Sequence, residues 1–147
     1  MPRDGLGLTG RVDHALDEKG RLVVPARFRA GLGERFTVTI NPSDRCLALY
    51  SQEEWQAFCL RLDGLQRSKD KRQFERLLSD LTVEGVACDA QGRLLLSPSQ
   101  REFAKIDREV VTVGAFKRVE IWSKDRYEAN VASVEAAAAF SEEQGLF

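Results

Sequence analysis

The chain has little of the chemistry that most enzymes are built on: one histidine, three cysteines and four prolines among 147 residues. His14 has no second imidazole and no ligand cluster beside it, so it cannot be half of a catalytic pair or the centre of a metal site. Its place on an alternating segment next to a turn fits a structural histidine, with a hydrogen bond to a phosphate as the other option. Cys46, Cys59 and Cys88 are odd in number, far apart and without CxxC spacing. That argues against a disulfide framework or a zinc site and for reduced thiols in a cytoplasm. Long hydrophobic runs are also missing, since none approaches the roughly 18 residues of a membrane span. The opening MPRDGLGLTG has neither an apolar core nor a small-residue cleavage site, so no secretory signal is expected. Glycine-rich phosphate loops, metal-ligand spacings and nucleophile elbows are absent, and no carboxylate pair is marked out as acid and base. Neither an enzyme nor a cofactor, metal or small-molecule substrate is expected.

What is present is ordinary globular composition, 43% hydrophobic and 31% charged. The length allows one domain or two small ones. The net charge of −1 looks adverse for a polyanionic partner, but it averages a gradient. Residues 128–147 carry Glu128, Glu135, Glu142 and Glu143 and no Lys or Arg, which leaves 22 basic against 19 acidic residues over 1–127. Arg61 to Arg76 alone holds six basic and three acidic residues. Local potential, not overall charge, steers an anionic ligand. Within that stretch RSKDKR, Arg67 to Arg72, interleaves with Asp70 and Glu75 on an amphipathic segment. It reads as a solvated helix face, with a surface for a polyanionic partner as the alternative.

Sliding the sequence against itself by 72 residues pairs DEKGRL, Asp17 to Leu22, with DAQGRL, Asp89 to Leu94. The same offset pairs Ala15 with Ala87, Arg29 with Arg101, and LYSQEEW (Leu49 to Trp55) with IWSKDRY (Ile121 to Tyr127). The second copy gains two residues near Phe103 to Asp107 and loses two before Arg118. An accidental match would not keep one offset at both ends of a unit, so the chain is a tandem duplication. The expected organisation is a first unit over 11–54, a helical linker over 55–82, a second unit over 83–126, and a C-terminal helix and tail over 127–147.

Each unit reads as β-β-α-β-β. Val12, His14 and Leu16 alternate with polar neighbours as a half-buried strand does. DEKG then interrupts the pattern, with Gly20 supplying a positive backbone dihedral, and Arg21 to Val24 resumes as the second arm of a hairpin. Pro25 fits the first position of a short helix and Gly31 its stop. Ser97-Pro98-Ser99-Gln100 makes a capping box in the second copy. Phe36 to Ile40 and Leu47 to Tyr50 follow as strands, matched by Val110 to Val113 and Val119 to Trp122. A closing helix begins at Ser51, with Glu54 completing a capping box and Tyr50 and Trp55 forming a hydrophobic staple. Trp122 and Tyr127 repeat that staple around Ser123, although Arg126 stands where the glutamate would be. Trp55, Phe58, Cys59, Leu62 and Leu65, then Phe74, Leu77, Leu78 and Leu81, fall at helical spacing and read as core stripes. Tyr127, Val131 and Val134 begin a C-terminal helix that Ala136 to Ala139 can extend. A unit of about 48 residues buries too little alone. Two units pairing about a pseudo-two-fold axis can close a common barrel-like core.

DEKGR with LVVPARFR, then LALYSQEEW, then DAQGRLLLSP and VEIWSKDRY, resemble the MraZ family of bacterial transcriptional regulators over nearly all of residues 11–130. The resemblance implies an α+β fold with a mainly β core. Two SpoVT-AbrB-like units would pair as an intramolecular pseudo-dimer, a double-split β-barrel flanked by helices. It further implies a cytoplasmic, nucleoid-associated protein that binds double-stranded DNA. Its sites would be short G-rich direct repeats upstream of the division and cell-wall gene cluster, engaged as a ring-like homo-oligomer that usually represses. Departures are the long, glycine-rich extension Met1 to Gly10, expected to be disordered, Ser97 where proline is usual, and Gln100 where an apolar residue is usual. Ala90 and Gln91 stand where the first unit has Glu18 and Lys19, so the first unit is expected to dominate DNA contact.

The DNA-binding residues implied are Asp17, Lys19, Arg21, Arg27 and Arg29 in the first unit, with Asp89, Arg93 and Arg101 in the second. Arginine suits a G-rich target because it can donate two hydrogen bonds to guanine O6 and N7. Lysine more often sits on phosphate as a mobile point charge. Asp17, at the start of the turn, would accept turn amides or hold Arg21. From turn chemistry alone, Asp17 capping an ordinary solvated turn and pairing with Arg21 is the blander option, and the resemblance favours DNA. Arg29 and Arg101 each follow an apolar helix and could serve either DNA or an internal salt bridge. Two other functions stay open: an AbrB-fold antitoxin-like module whose acidic tail meets a protein, and an interaction scaffold that never binds DNA.

Overall fold

The computed structural model describes residues 8–130 and 133–147. The first unit supplies β1 (Arg11–Ala15), β2 (Arg21–Val23), α1 (Ala26–Leu32), β3 (Phe36–Asn41) and β4 (Cys46–Ser51). Two helices, α2 (Gln52–Asp63) and α3 (Lys69–Leu81), lead to the second unit. There β5 (Val83–Val86), β6 (Arg93–Leu95), α4 (Pro98–Phe103), β7 (Glu109–Gly114) and β8 (Val119–Ser123) repeat the order, followed by α5 (Lys124–Asn130) and α6 (Val134–Gln144). This is the expected α+β chain with a mostly strand core and flanking helices.

The pairing is between units. One sheet runs β1-β7-β8-β4-β3-β5 and a separate two-stranded ribbon runs β2-β6. Exchanging the units turns each order into its own reverse, so a pseudo-two-fold axis passes between β4 and β8 and between β2 and β6. The expected hairpin therefore does not form. The backbone-to-backbone hydrogen bonds that close the turn after β1 are Asp17 N donating to Arg21 O and Gly20 N to Asp17 O. β1 then pairs with β7, while β2 crosses to β6. Alternation of apolar and polar residues fixes which face of a strand is buried but not which strand it meets. Pairing across the axis brings Leu22, Val24, Leu94 and Leu96 together, each at most 1% exposed. They join Phe28, Leu32, Phe36, Leu47, Leu49, Val110 and Ile121 in one shared core.

Local signals explain the helices. Ser51 Oγ accepts from Glu54 N, and Tyr50 lies 5.8 Å from the Trp55 ring, although Glu54 does not return the capping-box bond. Trp122 and Tyr127 stack edge to face at 5.5 Å around Ser123, which accepts from Arg126 N. The Ser97–Gln100 capping box is complete. Gln100 is 2% exposed because its amide also donates to Val38 O and Leu81 O, which accounts for a polar residue at an otherwise apolar position.

Several details differ from expectation. Pro25 caps α1 from outside, and the stop is Gly33 at φ 87°, its N–H on Arg29 O. Gly31 lies inside the helix, where a Cβ would come within 2.5 Å of Leu8 Cδ2. Cys59 and Leu65 are exposed and not core, because α2 buries its Trp55 face and ends at Asp63. The Arg67–Arg72 run splits at the Ser68 cap of α3, and Lys71 Nζ donates to Asp63 O and Leu65 O, tying off the end of α2. The C-terminal helix is two helices. Ser133 caps α6 by accepting from Ala136 N, and α6 buries no residue. The expected disorder of Met1 to Gly10 fails over its last three residues, where Leu8 bridges Phe116 and Gly10 O accepts from Gly114 N; Met1 to Gly7, and the expected helical role of Val131, fall outside the described residues.

Candidate nucleic-acid interface

Both turns are built on the same three contacts to an aspartate carboxylate. Asp17 Oδ1 accepts from the backbone N–H of Lys19 and Arg21, each at 2.9 Å, and Oδ2 accepts from Arg21 Nε at 2.7 Å. In the second unit Asp89 Oδ1 accepts from Gln91 N at 3.0 Å and Arg93 N at 2.9 Å, and Oδ2 from Arg93 Nε at 2.8 Å. These bonds to the charged form, from backbone N–H first and the guanidinium second, hold both carboxyls below the usual aspartate range. The spacing Asp-x-x-Gly-Arg is what the geometry requires. The carboxylate must reach amides two and four residues on, and Gly20 and Gly92 stand at φ 81° and 77°.

The Nε contact fixes the arginine plane and leaves the two Nη groups for other partners. Among the described residues Arg21 Nη1 and Nη2 make no hydrogen bond, whereas Arg93 Nη2 also donates to Gln91 Oε1 at 3.3 Å. The units are therefore unequal at the group that would meet a ligand. On the ribbon, Leu22 and Leu94 face the core, so Arg21, Val23, Arg93 and Leu95 share the opposite, solvent face.

Arg29 and Arg101 are brought to the turns from across the pseudo-two-fold. A Cβ on Gly92 would overlap Nη1 of Arg29, and one on Gly20 would lie 3.1 Å from Cζ of Arg101. Each unit's helix arginine thus rests on the other unit's turn. No ion pair holds Arg29 or Arg101 among the described residues, and Arg101 Nε is buried without a hydrogen-bond partner. The same glycines carry the joint through their carbonyls. Val24 N donates to Gly92 O at 3.0 Å and Leu96 N to Gly20 O at 3.2 Å. Arg27 is separate from this pair: its guanidinium lies over the Phe28 ring at 4.9 Å and against Gly10. Lys19 is exposed at the tip of its turn. Sequence patterning missed Val23 and Leu95, which stand 52% and 62% exposed on the ribbon face. The signal was Arg21-Leu22-Val23-Val24, where only alternate residues can point inward.

The remaining candidates do structural work. His14 Nε2 meets Thr112 Oγ1 at 2.7 Å between β1 and β7, and burial pulls its pKa below the ordinary histidine value. Burial pushes the thiols of Cys46 and Cys88 up, and slight desolvation beside Glu84 raises that of the exposed Cys59, so none is poised as a thiolate. Among the described residues no group of three or more His, Cys, Asp or Glu could hold a metal ion, and no helix is long and apolar enough to cross a membrane.

Comparison with known proteins meets this geometry. Residues 8–77 and 83–146 match the family described as "MraZ protein, putative antitoxin-like". A protein named transcriptional regulator MraZ from Desulforamulus reducens is 46% identical over 129 residues, covering 87% of this chain and 89% of its own. Its namesakes from Lachnoclostridium phytofermentans and Pelotomaculum thermopropionicum are 42% and 44% identical, covering 82% and 81% of this chain and 84% and 81% of theirs. Two family matches, the first running from the first unit through α2 into α3 and the second covering the second unit, together with relatives aligned over four-fifths of the chain, establish that this chain belongs to the MraZ family.

Proposed function

We propose that the chain is a sequence-specific, DNA-binding transcriptional regulator. In this reading it represses the division and cell-wall gene cluster by engaging short G-rich direct repeats, as a ring-like homo-oligomer in the nucleoid-associated cytoplasm. The observation that carries the reading is the pair of arginines on the solvent face of a two-stranded ribbon, each pinned at Nε by its own aspartate. A two-stranded ribbon fits the major groove, and an arginine fork can take guanine O6 and N7, worth roughly 1–3 kcal/mol of discrimination. The relatives' printed name supports regulation of transcription.

Lys19, Arg27, Arg29 and Arg101 supply the surrounding positive charge, with Lys19 at the turn tip suited to phosphate. Asp17 and Asp89 act as positioning residues. The first unit dominates, because Arg21 has both Nη groups free and Lys19 beside it, while Arg93 shares an Nη with Gln91. One chain presents few cations and offsets them with Asp17, Glu18 and Asp89, so a single contact is weak. Several chains on several repeats gain avidity through effective concentration without new contacts.

The test is Arg21→Ala. It should abolish preference for the operator over random duplex while leaving circular dichroism and oligomer size unchanged. Binding of random duplex should persist, with a salt slope reduced by about one charge at most. Unchanged operator affinity and salt slope in this variant would remove Arg21 from the interface.

A further inference from the structure

The ribbon face carries two kinds of side chain in alternation. Register sets Arg21 opposite Leu95 and Val23 opposite Arg93. Each aliphatic side chain therefore has one arginine directly across from it and another two residues along its own strand. Their inward neighbours Leu22 and Leu94 are each 1% exposed, so the core already has its apolar side chains from these strands. Val23 and Leu95 are surplus to it, yet they hold the two outward positions where polar residues would be at home.

A second copy of this face is a poor occupant, since apposing two such ribbons would crowd four guanidinium groups. A duplex neutralises them instead. In the major groove the apolar group on a base edge is the C5-methyl of thymine. We infer that Val23 and Leu95 read thymine methyl groups beside the base pairs contacted by Arg21 and Arg93, adding thymine preference to guanine preference. The inference rests on the DNA-reading function proposed above. Spacing supports it. Outward residues along one strand are about 6.8 Å apart, two base steps at about 3.4 Å per step. Directly opposed residues have Cβ atoms about 4.5–5.5 Å apart, between one and two steps. Each aliphatic thus falls within two base pairs of both arginines.

The test begins by selecting bound duplexes from a random pool with the full chain. Affinity is then measured at fixed salt for the best duplex and for versions with each thymine replaced in turn by deoxyuridine, which lacks only the methyl group. Wild type should lose affinity about fourfold for each methyl that is read, the increment for burying one such group. Val23→Ala or Leu95→Ala should be indifferent to the same replacement at its own position, while keeping guanine preference and salt slope. Both sites are exposed, so folding is kept, and circular dichroism checks it. Equal wild-type affinity for thymine and deoxyuridine at every position, with duplex binding intact, overturns this inference and leaves the arginine reading standing. Loss of oligomer in the double variant with base preference unchanged also overturns it and assigns the face to self-association. No salt-dependent duplex binding by the wild type overturns both readings.

Discussion

Gly92→Ala and Gly20→Ala look like the same mutation made twice, and the structure says they are not. Both glycines have positive φ, 77° and 81°, so alanine at either should cost about 1–2 kcal/mol in backbone strain alone. At Gly20 the new Cβ would lie 3.1 Å from Cζ of Arg101, a contact that a small shift of the arginine relieves. At Gly92 it would occupy the place of the Arg29 guanidinium, which must leave. Gly92→Ala therefore adds the loss of a seated, partly exposed arginine, up to about 1 kcal/mol of packing at about 0.1–0.2 kcal/mol per heavy-atom contact. The assay is urea denaturation at fixed protein concentration, run as a double-mutant cycle with Arg29→Ala. In that background the excess cost of Gly92→Ala over Gly20→Ala should vanish, and Arg101→Ala should leave it untouched. If the excess persisted without the Arg29 side chain, the crossing contact described here would be wrong.

Other outcomes are expected. Leu94→Ala, deep in the shared core at 1% exposure, should destabilise the whole chain in one transition by about 2–5 kcal/mol, and Leu22→Ala should do the same although it lies in the other unit. Two separate urea transitions would contradict a common core. Arg93→Ala should weaken operator binding less than Arg21→Ala in a mobility-shift titration, since one Arg93 Nη is already occupied by Gln91. His14 has its pKa lowered by burial, so the unfolded chain takes up the proton first. Stability should be full above the ordinary value of 6.5 and fall as pH drops through it toward the lower folded value. His14→Gln should flatten that slope in thermal melts between pH 7.5 and 5.5, values chosen to straddle about one unit on either side of an unperturbed histidine. An unchanged slope would place the titration elsewhere.

Much of this molecule was legible in its sequence because duplication wrote each signal twice. Asp17 and Asp89 occupy matched turns, Ser51 and Ser123 matched caps, and the order of strands and helices follows from them. What stayed hidden was partnership. Alternation over Val12, His14 and Leu16 shows which residues face in, but a repeat offers two equivalent partners for every strand, and nothing local says that β2 prefers β6 to β1. For the same reason the helix arginines could be noticed but not paired with the opposite turn. Cys59 was misplaced because a stripe of helical spacing does not tell how wide the covered face is. The break between α5 and α6 was missed because alanine propensity after Val134 masked the Ser133 cap, a signal that was there to be used.

Fusion of the two halves has one consequence for whatever nucleic acid they grip. Two identical polypeptides related by an exact dyad would treat a site and its reverse alike. Here the dyad is only approximate, with Glu18 and Lys19 at one tip and Ala90 and Gln91 at the other. The molecule has a head and a tail along the ribbon; under the DNA-reading function proposed above, it would tell which way a short word runs, and copies laid side by side would all point the same way.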